Sequence, residues 1–155
     1  MDNVLILFGT QSGNAAMVAE TLKSALERAG VTAELVPEND AQPALIAQRR
    51  WLLVCCSTHG EGDVPDHLLP LVTAIRRDRP DLSALRYGVV ALGDRTYADT
   101  YCFGGKQIDE LLAEQGACRV GDRLEVDAST QPFADEVALE WLAGWLEQAR
   151  KPVGD

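Results

Sequence analysis

Three short segments of the chain hold the residue types that could do chemistry, and each follows directly on an apolar run. The first is Gly9-Thr10-Gln11-Ser12-Gly13-Asn14-Ala15. Small and hydroxyl-bearing residues leading into a helix offer free backbone N–H groups and side-chain donors, which suits an anion such as a phosphate. No Gly-Lys-Ser/Thr and no G-x-G-x-x-G is present, so neither a triphosphate loop nor a dinucleotide fingerprint is implied. No Lys or Arg stands between Met1 and Thr21, so a phosphate would rest on neutral donors and the helix dipole. An ordinary capped turn would use the same residues.

The second segment is Ser57-Thr58-His59-Gly60-Glu61-Gly62-Asp63-Val64-Pro65-Asp66. Two glycines and a proline mark a shaped loop where backbone can approach a flat ligand. His59, Glu61 and Asp63 alternate along it, which is poor geometry for a metal, and Asp66 is expected to cap the following helix. The third runs from Gly93-Asp94 through Tyr97 and Tyr101-Cys102-Phe103 to Gly104-Gly105-Lys106 and reads as a loop. Aromatics in a polar, glycine-flanked loop suit stacking on a planar ring, although they could also simply pin the loop.

The elements that must position these segments alternate along the chain. Val4–Phe8, Trp51–Cys56 and Tyr87–Leu92 are continuous apolar runs, as in parallel strands covered on both faces. Thr32–Val36 reads as a short strand, and Cys118–Val126, with Arg119, Arg123 and Glu125, as an exposed edge strand. Helical stripes lie at Val18–Ala29, stopped by Gly30, at Leu68–Ile75, at Ile108–Leu112 and at Ala134–Trp145. Between Pro37 and Arg49 the pattern for a further helix is weak. Right-handed βαβ units then give an α/β domain with a parallel sheet, whose ligand crevice lies beyond the carboxyl ends of the strands. The three segments leave strands one, three and four at that edge.

Bulk properties narrow the classes. The 155 residues suit one domain over 1–155, and no apolar run approaches the length of a membrane span. The start passes straight into a strand without a basic leader, so a cytoplasmic protein is expected. Four cysteines without a C-x-x-C pair read as free thiols. A net charge of −10 disfavours nucleic acid and anionic membranes and favours partners with basic patches. No apolar stripe is left over once the helices pack, so a monomer is expected.

A phosphate cradle, a glycine-rich backbone loop and an aromatic loop together fit flavin mononucleotide (FMN). At these motifs the chain resembles the short-chain flavodoxins, specifically the MioC type, and the flavodoxin-like domains of diflavin reductases. The likeness runs from Val4 to about Trp145. It implies a flavodoxin-like three-layer sandwich with a five-stranded parallel sheet in order 2-1-3-4-5. It also implies that Thr10, Gln11, Ser12, Gly13, Asn14 and Ala15 surround the phosphate and that Tyr97 stacks on the outer face of the ring. Ser57, Thr58, His59, Gly60, Glu61, Gly62 and Asp63 would frame the ring with Leu92, Gly93, Asp94, Tyr101, Cys102 and Phe103. Three departures stand out. Ala15 replaces a common hydroxyl residue, His59 takes the place of an inner-face aromatic, and one extra residue lies between Tyr97 and Cys102.

The activity implied is that of a low-potential one-electron carrier, not an enzyme. It would be fed by an NADPH-dependent flavodoxin/ferredoxin reductase and discharged to a metalloenzyme with a basic docking patch, such as biotin synthase. Two alternatives remain beside it. An FMN-dependent quinone- or azo-type reductase would need a nicotinamide and substrate surface that no extra segment supplies. A flavin-free interaction module would keep the fold without the ligand.

Overall fold

The computed structural model describes residues 3–9, 14–36, 46, 49–57, 69–93, 103–127, 130 and 133–150. The apolar runs are strands in it, and the helical stripes are helices. In chain order these are β1 (Val4–Gly9), α1 (Asn14–Arg28), β2 (Ala33–Leu35), β3 (Trp51–Ser57), α2 (Leu69–Asp78) and β4 (Arg86–Gly93). They continue with α3 (Phe103–Glu114), β5 (Cys118–Arg119), β6 (Leu124–Asp127) and α4 (Ala134–Ala149). The expected helix between Pro37 and Arg49 lies outside the described residues except for Ile46, which is helical and buried.

All the strand pairs are parallel. The order β2-β1-β3-β4 is the expected one, but the fifth place is shared by β5 and β6, both paired with β4. The edge is divided because its register slips. Arg86 faces Cys118, an offset of 32 positions, whereas Val90 faces Leu124, an offset of 34. The two surplus residues are taken up between Arg119 and Leu124, where Gly121 adopts φ +68°. Such a bulge interrupts the regular row of free backbone groups that an edge strand would present.

Both faces of the sheet are covered, which explains the unbroken apolar runs. Leu5, Leu7, Leu52, Val54, Val89 and Ala91 share one core layer with Ile75 of α2 and Ile108, Leu111 and Leu112 of α3. Val4, Ile6, Leu53, Val90 and Leu92 share the other with Val18, Leu22 and Leu26 of α1 and Leu142 and Trp145 of α4. Gly30 ends α1 with φ +83°, a conformation that penalises any Cβ. Among the described residues Cys55 and Cys56 are buried, Cys118 is exposed, and none of the three is in a disulfide. Cys102 lies outside the described residues. Burial, reinforced by Cys56 beside it, pushes the Cys55 thiol up, so it stays protonated and unreactive.

One buried carboxylate ties the α2–α3 layer to the divided edge. Asp109 of α3 receives the Tyr87 hydroxyl at 2.6 Å on Oδ1, and Arg119 and Arg123 each donate an Nη1 hydrogen bond of 2.6 Å to Oδ2. Arg123 also donates to Glu125 through Nε and Nη2, at 3.1 and 2.9 Å. The edge charges therefore serve an internal network, beyond the exposed-edge role expected of them. Burial opposes the Arg123 charge, but its bonds to Glu125 and Asp109 outweigh this and raise its pKa. Tyr87 is pushed up by burial first and by the Asp109 carboxylate second.

Asp109→Ala should cost about 3 kcal/mol, because it removes the buried carboxylate shared by two guanidinium groups and the Tyr87 hydroxyl, which keep only their weaker second acceptors. The loss is expected as a lower urea midpoint, whereas Asp78→Ala, at the exposed pair with Arg77, should leave the midpoint unchanged. The Tyr87 shift predicts an alkaline effect. As pH rises through 10.0 the unfolded chain loses the Tyr87 proton while the folded chain keeps it. Stability therefore falls with rising pH above that value, and urea midpoints across this range should decline less steeply in Tyr87→Phe.

Candidate functional site

Parallel strands end on one side of a sheet, and here the register brings three of those ends level. Gly9, the last residue of β1, faces Cys56, and Ser57, the last of β3, faces Leu92. Gly93, the last of β4, faces Asp127. The three segments singled out from the sequence therefore leave the sheet side by side, at the edge where such folds bind ligands.

Most of the residues expected to touch a ligand lie outside the described residues: Thr10, Gln11, Ser12, Gly13, Thr58, His59, Gly60, Glu61, Gly62, Asp63, Asp94, Tyr97, Tyr101 and Cys102. The structure does place their anchors. Asn14 opens α1, Ser57 and Gly93 close β3 and β4, and Phe103 opens α3. Leu92 faces the α1 layer and is buried there. The Ala15 side chain is wholly buried in that layer beside Val18 and Ala19. Its missing hydroxyl is thus explained by packing, and only its backbone is left to meet a ligand.

The third segment is shorter as a loop than its composition suggested. Gly104 and Gly105 disfavour helix and were read as loop, yet α3 begins at Phe103. Packing overrides propensity at this point. A Cβ on Gly105 would stand 2.4 Å from the Ala91 Cβ and 3.0 Å from its Cα. Glycine lets the first turn of α3 rest directly on β4, two residues before the end of that strand.

Electrostatically the described part of the site offers helix starts that attract an anion. The first turns of α1 and α3 contain no Asp or Glu, so the partial positive charge of each helix start is left for a ligand. Asp127, buried at the end of β6 beside Gly93, was not singled out from the sequence. Its Oδ2 accepts the Thr130 hydroxyl at 3.2 Å and its carbonyl accepts the Thr130 N–H at 3.1 Å. The Asp127-Ala128-Ser129-Thr130 spacing was the available turn signal. Among the described residues no His, Cys, Asp and Glu group could hold a metal. A helix start for a phosphate, with the ends of β3 and β4 beside it, fits a mononucleotide such as FMN.

These features define a class, the doubly wound α/β proteins that bind a nucleotide-like cofactor at the carboxyl edge of the sheet. Comparison with known proteins narrows it. The family model described as Flavodoxin matches residues 6–141. Flavodoxin YqcA of Escherichia coli (strain K12) is 39% identical over 145 residues, 94% of this chain and 97% of its own. Protein MioC of the same strain is 36% identical over 146 residues, again 94% of this chain and 97% of its own. A cysteine-to-alanine mutant of flavodoxin from Pseudomonas aeruginosa superimposes with a TM-score of 0.87 at 35% identity, covering 97% of this chain and 100% of that one. The chain belongs to the flavodoxin family, electron-transfer proteins that bind FMN and are not enzymes in their own right.

The close approach at Gly105 can be tested directly. Gly105→Ala should lift the start of α3 off β4, cost about 1–3 kcal/mol by overpacking, and weaken FMN binding because the aromatic loop is anchored there. A fluorescence titration of the apoprotein with FMN, run beside a urea curve, checks both effects.

Proposed function

We propose that the chain is a monomeric, cytoplasmic, low-potential one-electron carrier forming a single FMN-binding domain over residues 1–155. The observation that carries this reading is the level ending of β1, β3 and β4, which gathers the three segments at one edge. Thr10, Gln11, Ser12, Gly13 and Asn14, with the backbone of Ala15, hold the phosphate at the start of α1. Tyr97 covers the outer face of the ring, while residues 57–63 and 92–103 frame its remaining edges.

FMN, when bound, supplies the electron chemistry, and the protein sets how readily it accepts and gives up charge. Glu61, Asp63, Asp94 and Asp99 bring negative charge to the ring's loops, and Asp127 at the end of β6 adds to it from the sheet edge. One such charge at ~8 Å is worth about 2 kcal/mol at an effective dielectric near ~20. The sum disfavours added negative charge on the ring and lowers the potential. Protonated His59 opposes it. Glycine at 60 and 62 lets the backbone there turn toward the ring's polar edge with little strain.

The donor proposed is an NADPH-dependent flavodoxin/ferredoxin reductase. The acceptor proposed is a metalloenzyme with a basic docking patch, such as biotin synthase, to which an acidic carrier would be steered. No described helix is long and apolar enough to cross a membrane, which is compatible with the cytoplasmic assignment.

Stepwise photoreduction of the FMN-loaded protein, followed in the visible spectrum, tests the reading. A one-electron-reduced form should accumulate before full reduction. Direct passage to full reduction would reject the one-electron role, and failure to bind FMN would reject the site.

A further inference from the structure

The opposite end of the sheet has the contrary charge. β3 and β4 begin there and α1, α2, α3 and α4 end there, and this end gathers Arg28, Arg50, Arg76, Arg79, Arg86 and Arg150 beside the fewer acids Asp81, Glu114 and Glu147. None of these six forms an ion pair within the described residues, since Arg28 and Arg150 donate only to the carbonyls of Ser24 and Ala29. Several of the acids at this end are already engaged. Glu27 pairs with Lys23, Glu34 with Arg49 and Asp78 with Arg77. In a chain of net charge −10, a cluster of unpaired guanidinium groups at one pole is a departure that solubility does not require.

Two of the six are held in place. Trp51 at the start of β3 faces Arg86 at the start of β4, and the Arg86 N–H donates to the Arg50 carbonyl at 2.8 Å. The Arg86 and Arg50 guanidinium carbons lie 4.9 and 5.9 Å from the centroid of the Trp51 ring. Trp51 is itself buried and meets Trp145 edge-on at 6.2 Å. Arg50 is exposed and Arg86 half-buried. Stacking on a fixed indole removes much of the freedom a surface arginine would otherwise lose on binding, so each planar fork is preorganised for a carboxylate.

We propose that this pole is a docking surface for an acidic segment of another protein, with Arg50 and Arg86 receiving its carboxylates over Trp51. Charge complementarity selects a short acidic segment over nucleic acid or an anionic membrane. A short segment meets only the basic pole, whereas an extended polyanion also feels the repulsion of the whole acidic chain. The carboxyl edge of the sheet lies a strand length away, about 20 Å. A partner seated here leaves that edge free, so the carrier can be tethered while it exchanges electrons.

The test titrates the FMN-loaded protein with an oligoglutamate peptide at low ionic strength, following amide and indole resonances. The expected result is a saturable shift centred on Arg50, Arg86 and the Trp51 indole, weakened by added salt, with the visible flavin spectrum unchanged. The double variant Arg50→Gln/Arg86→Gln should bind about tenfold or more weakly, since it loses two charge-assisted pairs. Shift mapping on the unaltered protein needs no variant to fold. The absence of a saturable shift, a shift centred elsewhere, or equal affinity in the double variant would overturn the proposal. So would tighter binding of duplex DNA or phosphatidylglycerol vesicles than of the peptide.

Discussion

Apolar burial is non-directional. It brings a helix onto a sheet but leaves its rotation and axial position weakly determined. For α3 the direction comes from Asp109, whose carboxylate takes one donor from β4, one from β5 and one from the bulge before β6. Hydrogen bonds of 2.6 Å tolerate little sliding. A helix held this way has a determined first turn, and the third candidate segment ends at that turn. Gly105 sets the remaining distance by allowing contact with Ala91. A buried ionic group of this kind is costly to desolvate and need not add net stability. Its contribution here is to select one arrangement among several that would bury similar apolar area.

The same directional logic separates the two poles. In a parallel sheet with helical crossovers, strand ends and helix starts share one edge, and strand starts and helix ends share the other. The first edge therefore gathers free N–H groups and the second gathers free carbonyls. The side chains follow this. Arg28 stands in the last turn of α1, and Arg76 and Arg77 stand in the last turn of α2, complementing the dipole. Asp135 and Glu136 occupy the first turn of α4, whereas α1 and α3, which follow two of the candidate segments, have no acid in theirs. Their positive starts are left to an anionic ligand.

Much of this was legible from residue types. β1, β3 and β4 were readable because a strand buried on both faces is apolar at every position, and α1 because its stripe ends at a glycine. The location of the candidate site was readable as well, since the ligand edge of a parallel sheet follows from topology. Less legible were the features that depend on distant pairs. Cys118–Val126 alternates like one edge strand, and only pairing with β4 showed the slip that divides it. Gly104-Gly105 looked like loop because helix propensity is a local quantity. Asp109 was not singled out at all, since its three donors come from residues 87, 119 and 123.

The amino-acid sequence by itself determined the alternation of elements, the parallel sheet and the edge at which a flavin-type ligand belongs. It could do so because periodicity, turn residues and strand direction are set by neighbours along the chain. The tertiary structure decided the slip of the edge strand, the start and seating of α3, the burial of Ala15 and the pairing of Arg50 and Arg86 with Trp51. Each of these depends on a distance between residues far apart in sequence, and such distances exist only once the sheet has brought those residues together.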